Sequence, residues 1–253
     1  MIPSKTHLVL IPSYNPGDRG LETVRAARTE WAPVWVVIDG STDGSVERLQ
    51  TLANADAQLR VLVRAVNGGK GAAILDGLLE AQRAGFTHVL TMDSDGQHPA
   101  QRISQFMTAS AAAPRAMILG VPVFDASAPA LRVRGRRVSN SVANLLTLYA
   151  GIRDSLFGFR VYPVEPLLNI MRRSRWMRRF DFDAEAVVRL SWRGVTAVNI
   201  PAPVRYFAPA DGGVSHFKYW RDNVLLTAMY LRLGAAWLVR IPALIARRLA
   251  RRT

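Results

Sequence analysis

The chain of 253 residues carries 33 lysine and arginine side chains against 19 aspartates and glutamates, a formal net charge of +14. Its hydrophobic fraction of 49% and charged fraction of 21% are ordinary for a globular protein and exclude a disordered chain. The absence of cysteine excludes disulfides and thiolate metal sites, and it fits a reducing compartment such as the cytoplasm.

The first 120 residues alternate between short apolar runs and helical patterns. The runs predict buried strands at 8–11, 34–38, 59–63, 88–92 and 116–119, and the patterns predict helices near 19–30, 44–54, 70–84 and 99–112. This order indicates βαβ units, hence an α/β fold with a mostly parallel sheet and helices on both faces. Because ligands bind at the carboxyl ends of such strands, the polar clusters that follow three strands predict a ligand site: 13–15, 39–41 and 93–95.

The second half of the chain is less regular and strongly basic. Residues 131–253 carry 22 basic and 7 acidic side chains, whereas residues 1–130 carry 11 and 12. Such asymmetry predicts contact with nucleic acid, lipid headgroups or a phosphorylated substrate. We interpret 121–137 as an arginine-rich loop and expect helices at about 138–150 and 183–192, strands at 154–162 and 195–200 (the latter ended by Pro201), and a helical region from Tyr219 onward with a possible break at Gly234 or Pro242.

The C-terminal segment points to a membrane surface. Its most apolar stretch, 224–246, is interrupted by two arginines, so we expect no membrane-spanning helix, and we expect no signal peptide at the N-terminus. The spacing of five arginines is close to whole helical turns and predicts one basic stripe, as in a helix lying on anionic lipid: Arg221, Arg232, Arg240, Arg247 and Arg251. The alternative is a helix packed on the core with its arginines in water.

A pair of carboxylates offers metal chemistry. Residues two apart on a strand point to the same side, so Asp93 and Asp95 could bind one Mg²⁺ or Mn²⁺, with substrate phosphates completing its coordination. Gln97 and His98 belong to the same loop. The alternative is an acidic turn in which Asp95 caps the next helix.

Two glycine-containing segments come earlier in the chain. In Asp39–Ser45, Asp39 could accept hydrogen bonds from a base or ribose, although Asp43 or Ser45 could equally cap the following helix. The segment Asn67–Ala73 opens a helix whose N-terminus attracts phosphate, and Lys70 could add a positive charge. The alternative there is a glycine turn with a solvated lysine.

Together these segments resemble the motifs of family 2 glycosyltransferases of the GT-A fold, in particular the dolichyl- or polyprenyl-phosphate mannosyltransferase branch. The resemblance implies an inverting, metal-dependent hexosyltransferase that moves one sugar from a UDP- or GDP-sugar to a lipid-linked acceptor such as polyprenyl phosphate. It rests on Ile11–Asn15, Asp39–Ser45, Asn67–Ala73 and Asp93–Pro99, and it continues through Leu156–Arg160, Phe182–Glu185, Ile200–Pro201 and Gly213–His216.

The resemblance also implies roles for individual residues. Asp93, Asp95 and Gln97 would hold the metal, Asp95 being counted as catalytic, while Asp154 and Glu185 would each be base or scaffold. The donor-binding set that it implies is Pro12, Tyr14, Asn15, Asp39, Ser41, Lys70, Asp93, Ser94, Arg136 and Arg137. The chain has Ile38 where the family often has a second aspartate and Pro16 where glutamate is common, which leaves uridine and guanosine both open. The family's basic residue before the final Gly-x-Ser is missing from 208–212.

We therefore expect a catalytic domain at 1–218, with a nucleotide-binding half to about 120 and an acceptor half after it, and a basic amphipathic appendage at 219–253. The protein would be cytoplasmic and peripheral to the inner face of the cell membrane. An alternative hypothesis is transfer to a hydroxyl of a saccharide or an aryl-polyene-type lipid, with an acidic base. We expect no nucleic-acid partner, because the basic loop lacks interleaved aromatics and any nucleic-acid motif.

Overall fold

The computed structural model describes residues 2–124, 130–205 and 219–250. The strands are β1 His7–Ser13, β2 Val34–Asp39, β3 Leu59–Arg64, β4 His88–Thr91, β5 Ala116–Val123, β6 Arg160–Pro163 and β7 Thr196–Pro203. The helices are α1 Gly17–Glu30, α2 Ser45–Asn54, α3 Lys70–Arg83, α4 Ile103–Ala112, α5 Ala130–Leu146, α6 Val164–Arg172, α7 Asp181–Trp192 and α8 Tyr219–Ala250, with a 3₁₀ turn at Ala100–Arg102 before α4.

These strands form one sheet in the order β3-β2-β1-β4-β6-β5-β7. Strand β6 is antiparallel to β4 and β5, and the other pairs are parallel. Successive side chains of β1 enter opposite cores, because neighbouring residues on a strand point to opposite faces: Leu8 and Leu10 pack on one side, Val9 and Ile11 on the other. Helices cover both faces, so the predicted mostly parallel α/β fold with a C-terminal helix is confirmed.

The second half departs from the sequence prediction in several places. Residues 130–137 belong to α5, so the predicted arginine-rich loop is wrong there, and 154–159 precede β6 rather than forming a strand. Helix α6 was not predicted, although its buried Val164, Leu167, Leu168 and Met171 have helical spacing. Strand β7 continues past Pro201 because it pairs only with β5, and an edge strand tolerates a missing N–H.

Helix α8 runs unbroken through Gly234 and Pro242, so neither predicted break occurs. Its residues Arg221–Ala250 are long and apolar enough to cross a bilayer, with a mean hydropathy of 1.5. By this measure of length and composition, the expectation that the chain lacks such a segment is wrong. Only 11% of the apolar window is buried in the protein, which distinguishes α8 from a core helix.

Arg232, Arg240 and Arg247 of α8 contact α7, which neither sequence interpretation foresaw. Arg232 donates a hydrogen bond of 2.6 Å to Glu185 of α7, and Arg247 donates to the carbonyl of Trp192 at the end of α7. Met229 and Leu233 are buried in the core between these helices and the sheet. The division of the chain at residue 218 stays a prediction.

Two stacked histidines lie at the end of the sheet where β1 and β4 begin. The rings of His7 and His88 are 4.4 Å apart and nearly parallel, and His7 Nε2 lies 3.1 Å from the Ser110 hydroxyl. Burial, together with the smaller effect of the neighbouring His88, lowers the pKa of His7 to about 4. The neutral imidazole is therefore the form that the fold accommodates.

This stack predicts a pH dependence of stability. Because the pKa of His7 falls from 6.5 to about 4 on folding, the unfolded chain binds the proton first, and stability present above pH 6.5 is lost as the pH falls toward 4. We expect a loss on the order of 2–3 kcal/mol from this residue. When the free energy of unfolding is measured with urea at several pH values in this range, it should change less steeply with pH in His7→Gln than in the wild type. An equal pH dependence in the two proteins would contradict the assignment to His7.

Candidate functional site

The polar clusters predicted from the sequence do meet at one edge of the sheet. Strands β1, β2 and β4 end there at Ser13, Asp39 and Thr91. Strand β6 begins at the same edge, since it runs antiparallel to β4 and Arg160 pairs with Thr91. The chain therefore brings the loops after three parallel strands together with the segment that leads into β6.

Lys70 is at the centre of this edge, where it joins two carboxylates that are far apart in sequence. Its ammonium nitrogen lies 2.7 Å from Asp93 Oδ1 and 2.7 Å from Asp183 Oδ2. The lysine is the first residue of α3, Asp93 follows β4, and Asp183 is in the first turn of α7. The ion pairs thus tie three elements together, and they exclude the solvated lysine that was one interpretation of the sequence.

Gly158 leaves the space that this cluster occupies. A Cβ on Gly158 would lie 2.6 Å from the Lys70 nitrogen and 3.0 Å from Asp93 Oδ2. Its carbonyl accepts a hydrogen bond of 2.8 Å from the Thr91 hydroxyl, which fixes the segment before β6 against β4. A residue with a side chain at position 158 would displace the ion pairs.

The charges of the cluster alter its titration. Burial opposes the charge of Lys70, but Asp183 and Asp93 outweigh burial and raise its pKa above the ordinary value. Burial also opposes the charge of Asp93, whose pKa is nevertheless lowered by Lys70. In Asp95, burial and the neighbouring Asp93 raise the pKa to about 6. Burial raises the pKa of Asp183 as well.

Asp93 and Asp95 form a pair of close carboxylates that a divalent cation would relieve. Burial first, and then the charge of Asp93, raise the pKa of Asp95, and the Asp93 side chain is 30% exposed. Asp95 Oδ1 accepts the backbone N–H of Gln97, while His98 Nδ1 accepts that of Asp93. Residues 2–124, 130–205 and 219–250 contain no group of three or more His, Asp and Glu able to hold a metal. The pair fits Mg²⁺ or Mn²⁺ only with further ligands, as when substrate phosphates complete the coordination.

Asp39 turns into the protein and holds the glycine-rich segment. It is 2% exposed, and its two carboxylate oxygens accept the N–H groups of Gly68 and Gly69 at 2.9 and 2.7 Å. Arg64 donates to the same carboxylate. Asp39 thus occupies the amide groups before α3 that the sequence analysis offered to a phosphate. A contact of Asp39 with the donor nucleotide stays a prediction.

The loops after β1 and β2 are bound to each other. The backbone N–H of Asn15 donates to the Ser41 hydroxyl, and the side-chain Oδ1 of Asn15 accepts the backbone N–H of Thr42 at 2.7 Å. Asp43 accepts the backbone N–H groups of Gly17 and of Ser45, the first residue of α2, but the N-cap position is Gly44, so neither Asp43 nor Ser45 is the predicted cap. Pro12 is buried within β1, and Tyr14, which follows the end of this strand, is 36% exposed. The Ser94 carbonyl accepts a hydrogen bond from the Thr23 hydroxyl of α1.

In both acidic candidates for a base, each carboxylate oxygen already accepts at least one hydrogen bond. Asp154 is 1% exposed and accepts hydrogen bonds from Arg136, Asn140 and two backbone N–H groups. Glu185 is fully buried and divides its two oxygens between Arg189 and Arg232, each at 2.6 Å. Their positions fit a scaffold: Asp154 ties α5 to the loop before β6, and Glu185 ties α7 to α8.

We expect Glu185→Gln to loosen α8. The amide keeps the shape but removes the charge that holds two guanidinium groups, and breaking a buried ion pair destabilises a protein by about 3–5 kcal/mol. Because these arginines are partly exposed, the loss should lie at the lower end of that range. Denaturant unfolding measures the loss, and hydrogen exchange of α8 should rise while donor binding persists. Unchanged exchange in α8 would refute this role.

Arg136 and Arg137 differ in their surroundings. Arg136 pairs with Asp154 at 2.7 Å and lies over the ring of Phe124, whereas Arg137 is exposed on α5. Arg251 of the predicted stripe and the motif Gly213–His216 lie outside the described residues. Asp183 is a site residue that the sequence did not predict: it belongs to the motif Phe182–Glu185, in which a role was predicted for Glu185 alone.

Comparison with known proteins agrees with this arrangement. The model of the family "Glycosyl transferase family 2" matches residues 8–174. The chain belongs to that family. It is 29% identical to the polyprenol monophosphomannose synthase of Mycolicibacterium smegmatis over 84% of this chain and 81% of the relative. It is 25% identical to a dolichyl-phosphate beta-glucosyltransferase of Trichomonas vaginalis over 94% and 75%.

A solved structure shares the GT-A fold of this family member. Glucosyl-3-phosphoglycerate synthase of Mycobacterium tuberculosis, solved with Mn²⁺, UDP-glucose and phosphoglyceric acid, matches with a TM-score of 0.61 over 94% of this chain and 80% of that one. At 16% identity the likeness concerns the fold alone. The chain is a family 2 glycosyltransferase, as the sequence motifs implied.

Proposed function

We propose that this family 2 glycosyltransferase transfers one sugar, with inversion, from a UDP- or GDP-sugar to a lipid-linked phosphate such as polyprenyl phosphate. The observation that carries the proposal is the cluster of Asp93, Asp95, Lys70 and Asp183 at the carboxyl edge of the sheet. The names of the polyprenol- and dolichyl-phosphate relatives support the acceptor class.

Each residue of the cluster would have its own task. Bound between the carboxylates and the donor, Mg²⁺ or Mn²⁺ would supply positive charge to the departing diphosphate. Lys70 holds Asp93 in its ionised form and in a fixed place, since the pairing with Asp183 leaves the ammonium little freedom. In the described part of the chain, Asp95 accepts a hydrogen bond from the Gln97 N–H through Oδ1, which would leave Oδ2 for the metal. Gln97 would add its side-chain oxygen from the same loop.

Saturation of Asp154 and Glu185 favours a phosphate acceptor. Transfer to a hydroxyl requires a general base, whereas a phosphate is already anionic at neutral pH. Neither carboxylate has an oxygen free of hydrogen-bond partners, so taking a proton would break an ion pair. The alternative, a hydroxyl acceptor, is favoured by one observation: Asp183 Oδ1 is buried without a hydrogen-bond partner among the described residues.

A pair of matched acceptors tests this choice. Nucleotide sugars are first screened by thermal shift with and without Mn²⁺, because a true donor stabilises the fold by a free energy that grows with the logarithm of its excess over Kd. The best donor, radiolabelled in its sugar, is then offered polyprenyl phosphate or the corresponding polyprenol. We expect a product with the phosphate, loss of activity in EDTA, and none with the alcohol. Equal or preferential transfer to the alcohol would overturn the proposal.

We further propose that the enzyme works on the inner face of the cell membrane, with α8 as its membrane-facing part. The outer side of α8 supports this, because its large aliphatic side chains are open to solvent: Val224, Leu231, Leu238, Val239 and Leu249. The arginine pairs to Glu185 and Trp192 hold α8 along the domain and favour a helix in the membrane plane over one that spans it.

A further inference from the structure

A cavity lined by arginine lies away from the donor site, where the C-terminal ends of α6 and α7 meet the middle of α8. Its volume is about 100 Å³, well above the roughly 10–15 Å³ that one ordered water requires. The polar residues that line it come from all three helices or their ends: Arg173, Ser174, Arg189, Trp192, Arg193 and Arg240. Four of these lining residues are arginines, so the cavity has strongly positive surroundings.

The positive charge of this cavity is not neutralised within the part of the chain that is described. Arg189 pairs with Glu185, but the same carboxylate also receives Arg232. Arg240 donates to the Ala236 carbonyl and lies over the Trp192 ring at 5.1 Å. The ion pairs of the described residues include neither Arg173, Arg193 nor Arg240.

The negative partial charges at the C-terminal ends of α6 and α7 compensate only part of this positive charge. A helix C-terminus carries about half a negative charge, so two of them favour nearby cations. Three arginines without a carboxylate partner exceed that by about two charges. An anion of the size of phosphate, which guanidinium groups bind through paired hydrogen bonds, would balance the excess.

Helix α8, which supplies Arg240 to the cavity, has an apolar outer face. Val239, Leu238 and Leu249 are 82%, 65% and 59% exposed, and at 3.6 residues per turn Leu238 and Leu249 project from the side of the helix opposite to Arg240. Between residues 224 and 246 the charged residues are Arg232 and Arg240, and both contact the domain. A bare aliphatic face beside an arginine cavity has the chemistry of a lipid interface, with acyl chains against one part and phosphates against the other.

We propose that this cavity binds the phosphate of an anionic lipid headgroup and that the outer face of α8 lies among the acyl chains beside it. The cavity shares no lining residue with the donor cluster, and the lipid proposed to bind there is distinct from the acceptor to be glycosylated. This proposal rests on the membrane location proposed above, and it adds a specific contact with a lipid headgroup. The bound lipid would fix how the enzyme sits on the bilayer, with α8 in the plane of the membrane.

Vesicle flotation with charge-reversed variants tests the headgroup contact. Wild-type protein is mixed with vesicles of phosphatidylcholine alone or with added phosphatidylglycerol, and it is compared with Arg173→Glu/Arg193→Glu. The matched control is Arg102→Glu/Arg115→Glu, which changes the net charge equally at exposed positions remote in sequence from the cavity. We expect the cavity variant to lose at least about 10-fold in affinity for the anionic vesicles and the control to lose much less. Equal losses would overturn the proposal, since they indicate only a general attraction of charge.

Two further arms separate the other occupants. If inorganic phosphate stabilises the wild type but not the cavity variant, while both bind anionic vesicles alike, the cavity is a site for a free phosphate compound and the lipid assignment fails. Leu238→Ser/Val239→Ser should weaken vesicle binding without altering the sedimentation coefficient. A change in sedimentation with unchanged vesicle binding would make the face a contact between two copies of the chain and overturn the proposal.

Donor binding keeps this test independent of the proposed function. Thermal shift with the nucleotide sugar should be the same for wild type and cavity variant, which also shows that the variant folds. If wild-type protein binds anionic vesicles through the cavity but no nucleotide sugar, the proposed transfer fails and the lipid site stands. If the wild type binds the nucleotide sugar, but the wild type and the cavity variant bind anionic vesicles equally well, the lipid site is overturned and the proposed function is not.

Discussion

Replacing Asp95 by asparagine is expected to lower sugar transfer by about 10²–10⁴-fold, because a metal that stabilises a leaving diphosphate contributes several kcal/mol to the transition state. The amide has nearly the same shape but lacks the charge that a hard divalent cation requires. Thermal shift by the donor should lose its dependence on Mn²⁺, and transfer is measured with the radiolabelled sugar at saturating donor.

Stability distinguishes this effect from unfolding. Burial and Asp93 both raise the pKa of Asp95 to about 6, so a neutral group at position 95 removes repulsion and should leave the protein as stable as before, or more so. Asp18→Asn is a matched control, since that carboxylate is 88% exposed beside Arg48. Full transfer with intact metal dependence in Asp95→Asn would remove Asp95 from the proposed site.

Replacing Lys70 by methionine is expected to lower both stability and transfer. The substitution keeps an unbranched side chain but leaves Asp93 and Asp183 facing each other without the cation between them. Removing one partner of a buried ion pair destabilises a protein by about 3–5 kcal/mol, because the remaining charge stays buried. Denaturant unfolding at neutral pH should show a loss of this order, reduced somewhat by the partial exposure of Asp93.

A double variant distinguishes loss of the ion pairs of Lys70 from loss of its van der Waals packing. In Lys70→Met/Asp183→Asn the second charge is also removed, so we expect a large part of the lost stability to return. Transfer should not return with it, since Asp93 would still lack the cation that holds it in place. If the single variant were as stable as the wild type, or if the two substitutions added independently, the three-residue cluster would not have the structural role assigned here.

The architecture of the first 120 residues was predictable because each element carries its own signal. Continuous apolar runs such as 34–38 become strands buried on both sides, and the glycine and aspartate segments follow where parallel strands must end. The second half gave weaker signals: α5 begins in an arginine-rich stretch, and its Ser139 hydroxyl contacts Ser155 and Tyr230, residues that are distant in sequence. Local pattern does not report such partners, so 130–137 was predicted as loop.

The site shows the same division. Asp93 and Asp95 were identified from their spacing, and Lys70 from its glycine-rich segment, because these signals are local. Asp183 was passed over, since its importance comes from a lysine that is 113 positions away. Asp39 was expected to face a ligand, but the structure turns it toward Gly68 and Gly69, a pairing that only the approach of two loops decides.

By itself, the sequence determined the family, the mostly parallel sheet and the edge at which chemistry is possible. These follow from the apolar periodicity and from motifs whose order the chain preserves. The tertiary structure decided how charges are paired: Lys70 lies between two carboxylates, and Glu185 binds two arginines. It also decided that Arg232 and Arg247 of α8 bond to α7 while large aliphatic side chains of α8 face outward. The physical reason is that the free energy of a buried charge depends on partners brought from other elements, whereas the burial of an apolar run depends mainly on its own composition.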